Sequence, residues 1–326
     1  MASTATAVPE GDLLHVARPG WTPARRGSVT TVGPGTADDV TTTPEELVDL
    51  VRYPVDDPGS EDYRQVVVEG RRRLGEVGAA ELPGFVTPAG VAALVADADS
   101  LASRAHRSGG RGTAYLEAPD GTLPAGHPRL VRGEYRLGVV AYDLFPRSSP
   151  LRVLYEWPPL TRLVGDLLGR GTVHPYADPF GALNLAVMGE GDRLQWHFDQ
   201  TDFLVSLALQ TAERGGDFEV VPFLRRAGDQ CYDDVAAVLG GDRSRVRTLP
   251  MTPGTLLVFE GRNSLHRVSP VVGPTARHVG LLAYDTTPGT MGSDLLRHDR
   301  YGRTVPFDDP PVSWSGRAAG VVETVG

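Results

Sequence analysis

An imidazole and a carboxylate stand at alternate positions in Leu194-Gln195-Trp196-His197-Phe198-Asp199, a run that reads as strand. Alternate strand side chains share a face. His197 and Asp199 can therefore reach one metal ion from one backbone segment, while Trp196 and Phe198 pack on the opposite side. A second histidine is available in Asn263-Ser264-Leu265-His266-Arg267-Val268, just past the apolar run Thr255-Leu256-Leu257-Val258-Phe259. Two neutral imidazoles and one carboxylate on one face of an ion leave the other face open, ready for a bidentate ligand and a small gas. Shortly beyond His266, Arg277 opens the strand-like run Arg277-His278-Val279-Gly280-Leu281-Leu282-Ala283-Tyr284. An arginine fork matches a carboxylate bidentately, so Arg277 could hold the far end of a dicarboxylate whose near end chelates the metal. Its competing use is a pair with an acidic neighbour, because an unpaired guanidinium buried among apolar residues is costly.

The order His-x-Asp, distal His, then Arg resembles the Fe(II)/2-oxoglutarate-dependent oxygenases. It is most similar to the small bacterial branch of free-amino-acid halogenases and their hydroxylating relatives. That closer likeness rests on Trp196-His197-Phe198-Asp199, Gly215-Gly216-Asp217-Phe218-Glu219, Phe259-Glu260-Gly261-Arg262-Asn263-Ser264-Leu265-His266-Arg267-Val268 and Tyr301-Gly302-Arg303. The resemblance implies Fe(II) held by His197, Asp199 and His266, with 2-oxoglutarate as cosubstrate, O2 as oxidant and Arg277 on the C5 carboxylate. In the halogenating members, as the resemblance implies, Gly or Ala replaces the carboxylate so that chloride can take its place. Asp199 fills that position here. Hydroxylation is therefore expected, with desaturation behind it, and halogenation is not.

Other assignments are looser. Asn184, on the strand before the metal strand, could hydrogen-bond the cosubstrate or be a satisfied strand amide. The resembling enzymes act on free amino acids, which need an anion-binding group and an acceptor for the ammonium. Arg136 is the candidate for the first role, and Gln200, Asp202 or Asp285 for the second; each could equally be a solvated loop residue. His278 faces the other side of its strand from Arg277 and reads as structural. Tyr301-Gly302-Arg303 has no role assignable from its chemistry. Two other classes stay open: a non-catalytic jelly-roll binding protein, and a cupin-like metalloenzyme using the triad without Arg277. A carrier-bound or non-amino-acid substrate is a further alternative.

Composition narrows the field. The formal net charge of -9 argues against a nucleic-acid partner, because phosphate binding needs clustered cations. Every basic residue other than histidine is arginine, and the absence of lysine removes Schiff-base and P-loop chemistry. The single Cys231 excludes an intramolecular disulfide framework and reads as a small loop-edge residue. No apolar run approaches the roughly 18 residues that span a bilayer, and no signal-peptide pattern opens the chain. The expectation is a cytosolic enzyme with a small-molecule substrate and no membrane partner; the oligomeric state is not legible.

Stepping outward from the ligands, residues 1–43 read as a flexible or loosely docked leader, rich in Ala, Thr, Gly and Pro. Residues 44–175 read as a helical buttress: Thr43-Pro44-Glu45-Glu46 starts one helix, Asp62 to Leu74 forms a second, and Thr87-Pro88 caps a third. Val77 to Leu82 reads as a short strand, and Ser108 to Pro128 as a glycine-rich turn region. Ser149-Pro150 opens a helix that Trp157-Pro158-Pro159 interrupts before it resumes to Gly169. Residues 176–303 switch to short strands between glycine turns, with one inserted helix from Asp233 to Leu239. This pattern predicts an α+β fold with a double-sheet jelly-roll core, matching the double-stranded β-helix of the resembling family. Residues 304–326, with Asp308, Asp309 and Trp314, read as a C-terminal surface strap.

Overall fold

A computed structural model describes residues 42–118 and 120–307. The expected leader up to residue 41, and the tail from residue 308 with Asp308, Asp309 and Trp314, lie outside the described residues.

The first half of the chain supplies α1 (Pro44–Leu47), α2 (Glu61–Val77), β1 (Ala79–Leu82), α3 (Pro88–Ala102), β2 (His106–Thr113), β3 (Arg132–Val140), α4 (Pro150–Tyr155) and α5 (Pro158–Leu168). Helix starts follow the local chemistry. Ser60 Oγ accepts from the Tyr63 N–H at 3.1 Å, and Thr87 Oγ1 from the Gly90 N–H at 3.0 Å, each satisfying a first-turn donor. Proline stands at the start of α3, α4 and α5, where its missing N–H costs nothing.

The second half supplies β4 (His174–Pro175), β5 (Leu183–Met188), β6 (Leu194–His197), β7 (Leu204–Gln210), β8 (Arg214–Gly215) and β9 (Phe218–Val221). It continues with α6 (Tyr232–Leu239), β10 (Arg247–Leu249), β11 (Leu256–Phe259), β12 (Leu265–Val268), β13 (Val271–Val272), β14 (Arg277–Leu282), β15 (Tyr284–Asp285) and α7 (Asp294–Tyr301). Two antiparallel sheets face each other, ordered β1-β11-β7-β14-β5-β3-β2 and β10-β9-β12-β6. Together they form a jelly roll, with short two-stranded ladders β13-β8 and β15-β4 at its margins.

Three apolar layers hold these sheets in place. Leu94, Leu151, Leu160, Leu183, Leu185, Leu207 and Leu256 pack the helices onto the outer face of the seven-stranded sheet. Each such fully buried leucine contributes about 1.5–3 kcal/mol of transfer free energy. Between the sheets lie Met188, Ala208, Phe218, Phe259, Val268 and Tyr301. Outside the four-stranded sheet, Trp196, Phe198 and Leu265 pack against Tyr115 and against Val235 and Val238 of α6.

The strand expected from Val77 to Leu82 is β1 (Ala79–Leu82), but the structure departs from the sequence reading in how far the helical buttress region contributes to the sheet. β1, β2 and β3 all join the seven-stranded sheet, so the helical buttress also supplies sheet edges. β2 occupies residues expected to form a turn region. Glycine lowers intrinsic strand preference, yet β2 pairs with β3 continuously from His106↔Val139 to Thr113↔Arg132. Cross-strand pairing outweighs local composition there.

Candidate metal centre

His197 ends β6 and Asp199 follows it, while His266 lies in the middle of the neighbouring β12. The antiparallel register puts His266 directly opposite His197, with ring centroids 4.2 Å apart. Asp199 Oδ1 stands 3.7 Å from His197 Nε2 and 3.5 Å from His266 Nε2. One ligand atom from each residue lies within 4.8 Å of the others, a grouping that could hold a metal ion. A β-bulge between β12 and β6 shifts the register just past His266. Strand alternation puts Trp196 on the outer face and His197 on the inner one.

Backbone carbonyls fix both rings. His197 Nδ1 lies 2.8 Å from Gln195 O, and His266 Nδ1 lies 2.9 Å from Ser264 O. A carbonyl only accepts, so each Nδ1 carries the hydrogen and each Nε2 keeps a lone pair for a metal. Both residues use the carbonyl two positions earlier, and strand geometry presents it.

Asp199 is held by space as much as by bonds. Its N–H donates to Gly261 O at 3.1 Å, and a Cβ on Gly261 would stand 1.8 Å from Asp199 Oδ2. Oδ2 is buried without a hydrogen-bond partner. Such an orphaned carboxylate oxygen is costly unless it coordinates a cation. Burial raises the Asp199 pKa, but the His266 and His197 imidazoles outweigh it and hold the carboxyl below its ordinary value. Burial, reinforced by His266, pushes His197 down to about 4. The triad presents two imidazoles and one carboxylate, the donor set suited to a divalent transition metal. His266 is 3 % exposed, with Phe259 and Phe218 ring centroids 4.8 and 5.5 Å away.

Arg277 begins β14 on the opposing sheet, directly across from Met188 of β5. Met188, Phe218 and Phe259 belong to one apolar cluster, so the packing beneath His266 is continuous with the packing around Arg277. Only 7 % exposed, Arg277 has one hydrogen bond among the described residues, from Nη1 to Met188 Sδ at 3.7 Å. Among the described residues no carboxylate lies within ion-pair distance of it; burial lowers its pKa to about 10, with Asp217 acting in the other direction. Among the described residues no acidic side chain forms the ion pair that would have given Arg277 a purely structural role; Asp217 acts on it only through its charge.

Asn184 also faces the space between the sheets, but its amide is committed. Nδ2 donates to Phe180 O and Leu183 O at 2.7 and 2.8 Å, and Oδ1 accepts from the Tyr301 hydroxyl at 2.9 Å. It anchors α7 through Tyr301 instead of presenting a free group. The substrate candidates are similarly engaged. Arg136 donates through Nε to the fully buried Asp192 at 2.7 Å. Asp202 is neutralised by Arg170 and Arg262. Asp285 caps the Thr287 N–H at 2.8 Å, and Gln200 is exposed, with its backbone carbonyl held by Arg262. The structure does not bring these four together at the triad.

Three residues with no role assignable from sequence acquire one. Tyr301 enters the space between the sheets, stacked on Phe180 at 5.5 Å. Gly302 ends α7 against the His106 ring, and Arg303 forks onto both oxygens of Asp143 at 2.6 Å. Tyr301-Gly302-Arg303 is the fastening of α7. Gly261, within the run Phe259 to Val268 but with no role assigned from sequence, acquires one as the residue that leaves room for Asp199.

Residues 137–296 match the Halogenase D family, a stretch containing the triad, Arg277 and Asn184. No match to a curated protein sequence is significant. AviO1 from Streptomyces viridochromogenes Tue57 is similar at 20% identity and TM-score 0.47, over 68% of this chain and 96% of that one. An oxidoreductase of the 2OG-Fe(II) oxygenase family from Burkholderia pseudomallei is similar at 18% identity and TM-score 0.45, over 69% and 92%. The non-heme alpha ketoglutarate dependent epimerase SnoN from nogalamycin biosynthesis is similar at 16% identity and TM-score 0.47, over 68% and 83%.

Proposed function

We propose that this chain is an Fe(II)- and 2-oxoglutarate-dependent oxygenase that hydroxylates an unactivated C–H bond of a small molecule, a free amino acid or amino-acid derivative. The observation that carries this reading is the pairing of a largely buried His-Asp-His triad with a buried arginine that has no ion-pair partner among the described residues and lies against the same apolar cluster. Neither half is explained alone. An orphaned carboxylate oxygen calls for a cation, and an orphaned guanidinium for a carboxylate. A keto-diacid bridging them would satisfy both.

His197, Asp199 and His266 would hold the iron, and Arg277 the distal carboxylate of 2-oxoglutarate. Iron with 2-oxoglutarate and O2 supplies an oxidant able to hydroxylate an aliphatic carbon, releasing succinate and CO2. The chain's own residues position and shield. The carbonyls of Gln195 and Ser264 keep both imidazoles in one tautomer, and Phe218 and Phe259 exclude water from the His266 side. Arg277 fixes the orientation of the cosubstrate and so the direction from which substrate must approach.

Asp199 decides between oxygen and halide transfer. Its carboxylate occupies the third protein position, and Gly261 leaves the room it needs, so no protein-vacated position remains there for a halide. The test is to supply the iron-loaded enzyme with 2-oxoglutarate, chloride and any amino acid that stimulates succinate release. A hydroxylated main product is expected; a chlorinated one would overturn the assignment.

A further inference from the structure

The loop between β9 and α6 is tied to the loop between β11 and β12, and from there to the strand that carries the other two members of the triad. The Phe223 N–H donates to Ser264 Oγ at 3.3 Å, the Arg225 N–H to Asn263 O at 3.2 Å, and Arg225 Nε to Arg262 O at 2.7 Å. Phe223 holds φ at +48°, a left-handed backbone that an aromatic residue adopts only where its surroundings impose it. The guanidinium of Arg225 lies over the Phe198 ring, 4.1 Å from its centroid, and Tyr115 packs on the same ring at 5.4 Å between centroids.

Both ends of this clamp meet segments that carry the metal ligands. Phe198 stands between His197 and Asp199; it is 1 % exposed, and its N–H donates to Ala114 O at 2.8 Å. A ring held fast on the outer face fixes the inward side chains before and after it. On the other segment, Arg262 follows Gly261, whose carbonyl accepts from the Asp199 N–H, and precedes Ser264, whose carbonyl orients the His266 ring. Arg225 therefore joins the two ligand-bearing segments through one side chain, by stacking on Phe198 and by donating to Arg262 O. Half-buried, it forms no ion pair among the described residues; its remaining hydrogen bond runs from Nη1 to Gln230 Oε1 at 3.3 Å. Arginine suits this double task, because a planar guanidinium can stack on an aromatic face while its N–H groups donate within the plane.

We infer that Arg225 is a positioning residue for the metal, which from outside the four-stranded sheet sets the placement of Asp199 relative to His266. This rests on the reading of the triad as a metal site. It assigns a role to a residue that touches neither the ion nor the reacting molecules, and it gives the strained turn at Phe223 a purpose, since that turn delivers Arg225 to both segments.

The test uses the full-length protein with Co(II) as probe, because the visible absorption of bound Co(II) reports the geometry of its ligands; affinity is measured by equilibrium dialysis. Arg225→Met keeps an apolar stem against Phe198 but donates nothing to Arg262 O. It is expected to bind Co(II) about 10- to 100-fold more weakly than the wild type, the range typical when a ligand's support is lost, with altered absorption bands. Arg225→Lys keeps the charge without the planar fork and recovers only part of the affinity. Arg226→Ala, next in the loop, loses an exposed side chain paired with Asp229 and leaves affinity and bands unchanged. Wild-type affinity and bands in Arg225→Met overturn the inference. So does weaker binding with unchanged bands, since a merely less stable fold lowers apparent affinity without altering the bound geometry, and so does an equal loss in Arg226→Ala. Absence of Co(II) binding by the wild type counts instead against the triad as a metal site, and removes the inference with it.

Discussion

Gly261 and Asp199 form one device: a carboxylate of the length of Asp199 fits only because the residue facing it has no Cβ. Gly261→Ala is expected to weaken Fe(II) binding about 10- to 100-fold, the range typical when a ligand's support is disturbed, measured by equilibrium dialysis with iron quantified in the protein compartment. Arg277→Ala should raise KM for 2-oxoglutarate by a factor corresponding to about 1.5–3 kcal/mol, the worth of hydrogen bonds to a charged group. Arg277→Lys should recover little of this, because an ammonium cannot reproduce the bidentate fork. At this scale the sequence was informative where chemistry follows local periodicity. His197 and Asp199 share a face because strands repeat every two residues, and His266 and Arg277 stand in strand-like runs of their own. The partners were illegible, because they come from elsewhere in the chain. Asp192 claims Arg136, and Arg170 with Arg262 claims Asp202; nothing local announces those pairs.

Elements position the site through two attachments that local composition concealed. Most of β2 reads as turn because of its glycines, yet Gly112 of β2 and Gly133 of β3 allow the hairpin to lie against Gln195. The second attachment is the fastening of α7. Asp143 has a fully buried side chain whose charge is met by Arg303 and the Phe307 N–H. Arg303→Ala strands that charge, and the cost should be about 3 kcal/mol, as for other broken buried pairs, read as a lower urea midpoint with unchanged slope. Below the sheet, His278 is 2 % exposed, with Nδ1 3.6 Å from Asp99. Burial, partly offset by Asp99, lowers its pKa from the ordinary 6.5. The unfolded chain therefore binds more protons here than the folded one as pH falls below about 6.5, so folded stability decreases on acidification. His278→Gln should lose less stability than the wild type between about pH 7 and about pH 5, compared by urea unfolding.

The molecule as a whole brings two distant stretches of sequence to one interior by stacking antiparallel sheets. The four-stranded sheet carries the triad, and the seven-stranded sheet carries Arg277. Fold class was legible from short strands punctuated by glycine. β1 was legible as a strand, but its pairing with β11 from late in the chain was not, and neither were β2 and β3. No helix among the described residues is long and apolar enough to cross a membrane. On the proposed reading, two-sheet construction makes metal and cosubstrate binding interdependent, because a keto-acid held by Arg277 and by the ion would span both sheets only when the ion is in place. Calorimetric titration of 2-oxoglutarate into the full-length protein, under anaerobic conditions with and without Fe(II), tests this most directly. Binding of one equivalent that requires Fe(II) and is lost in both His266→Ala and Arg277→Ala is the predicted result. Equal binding with and without the metal, or none in either case, would contradict it.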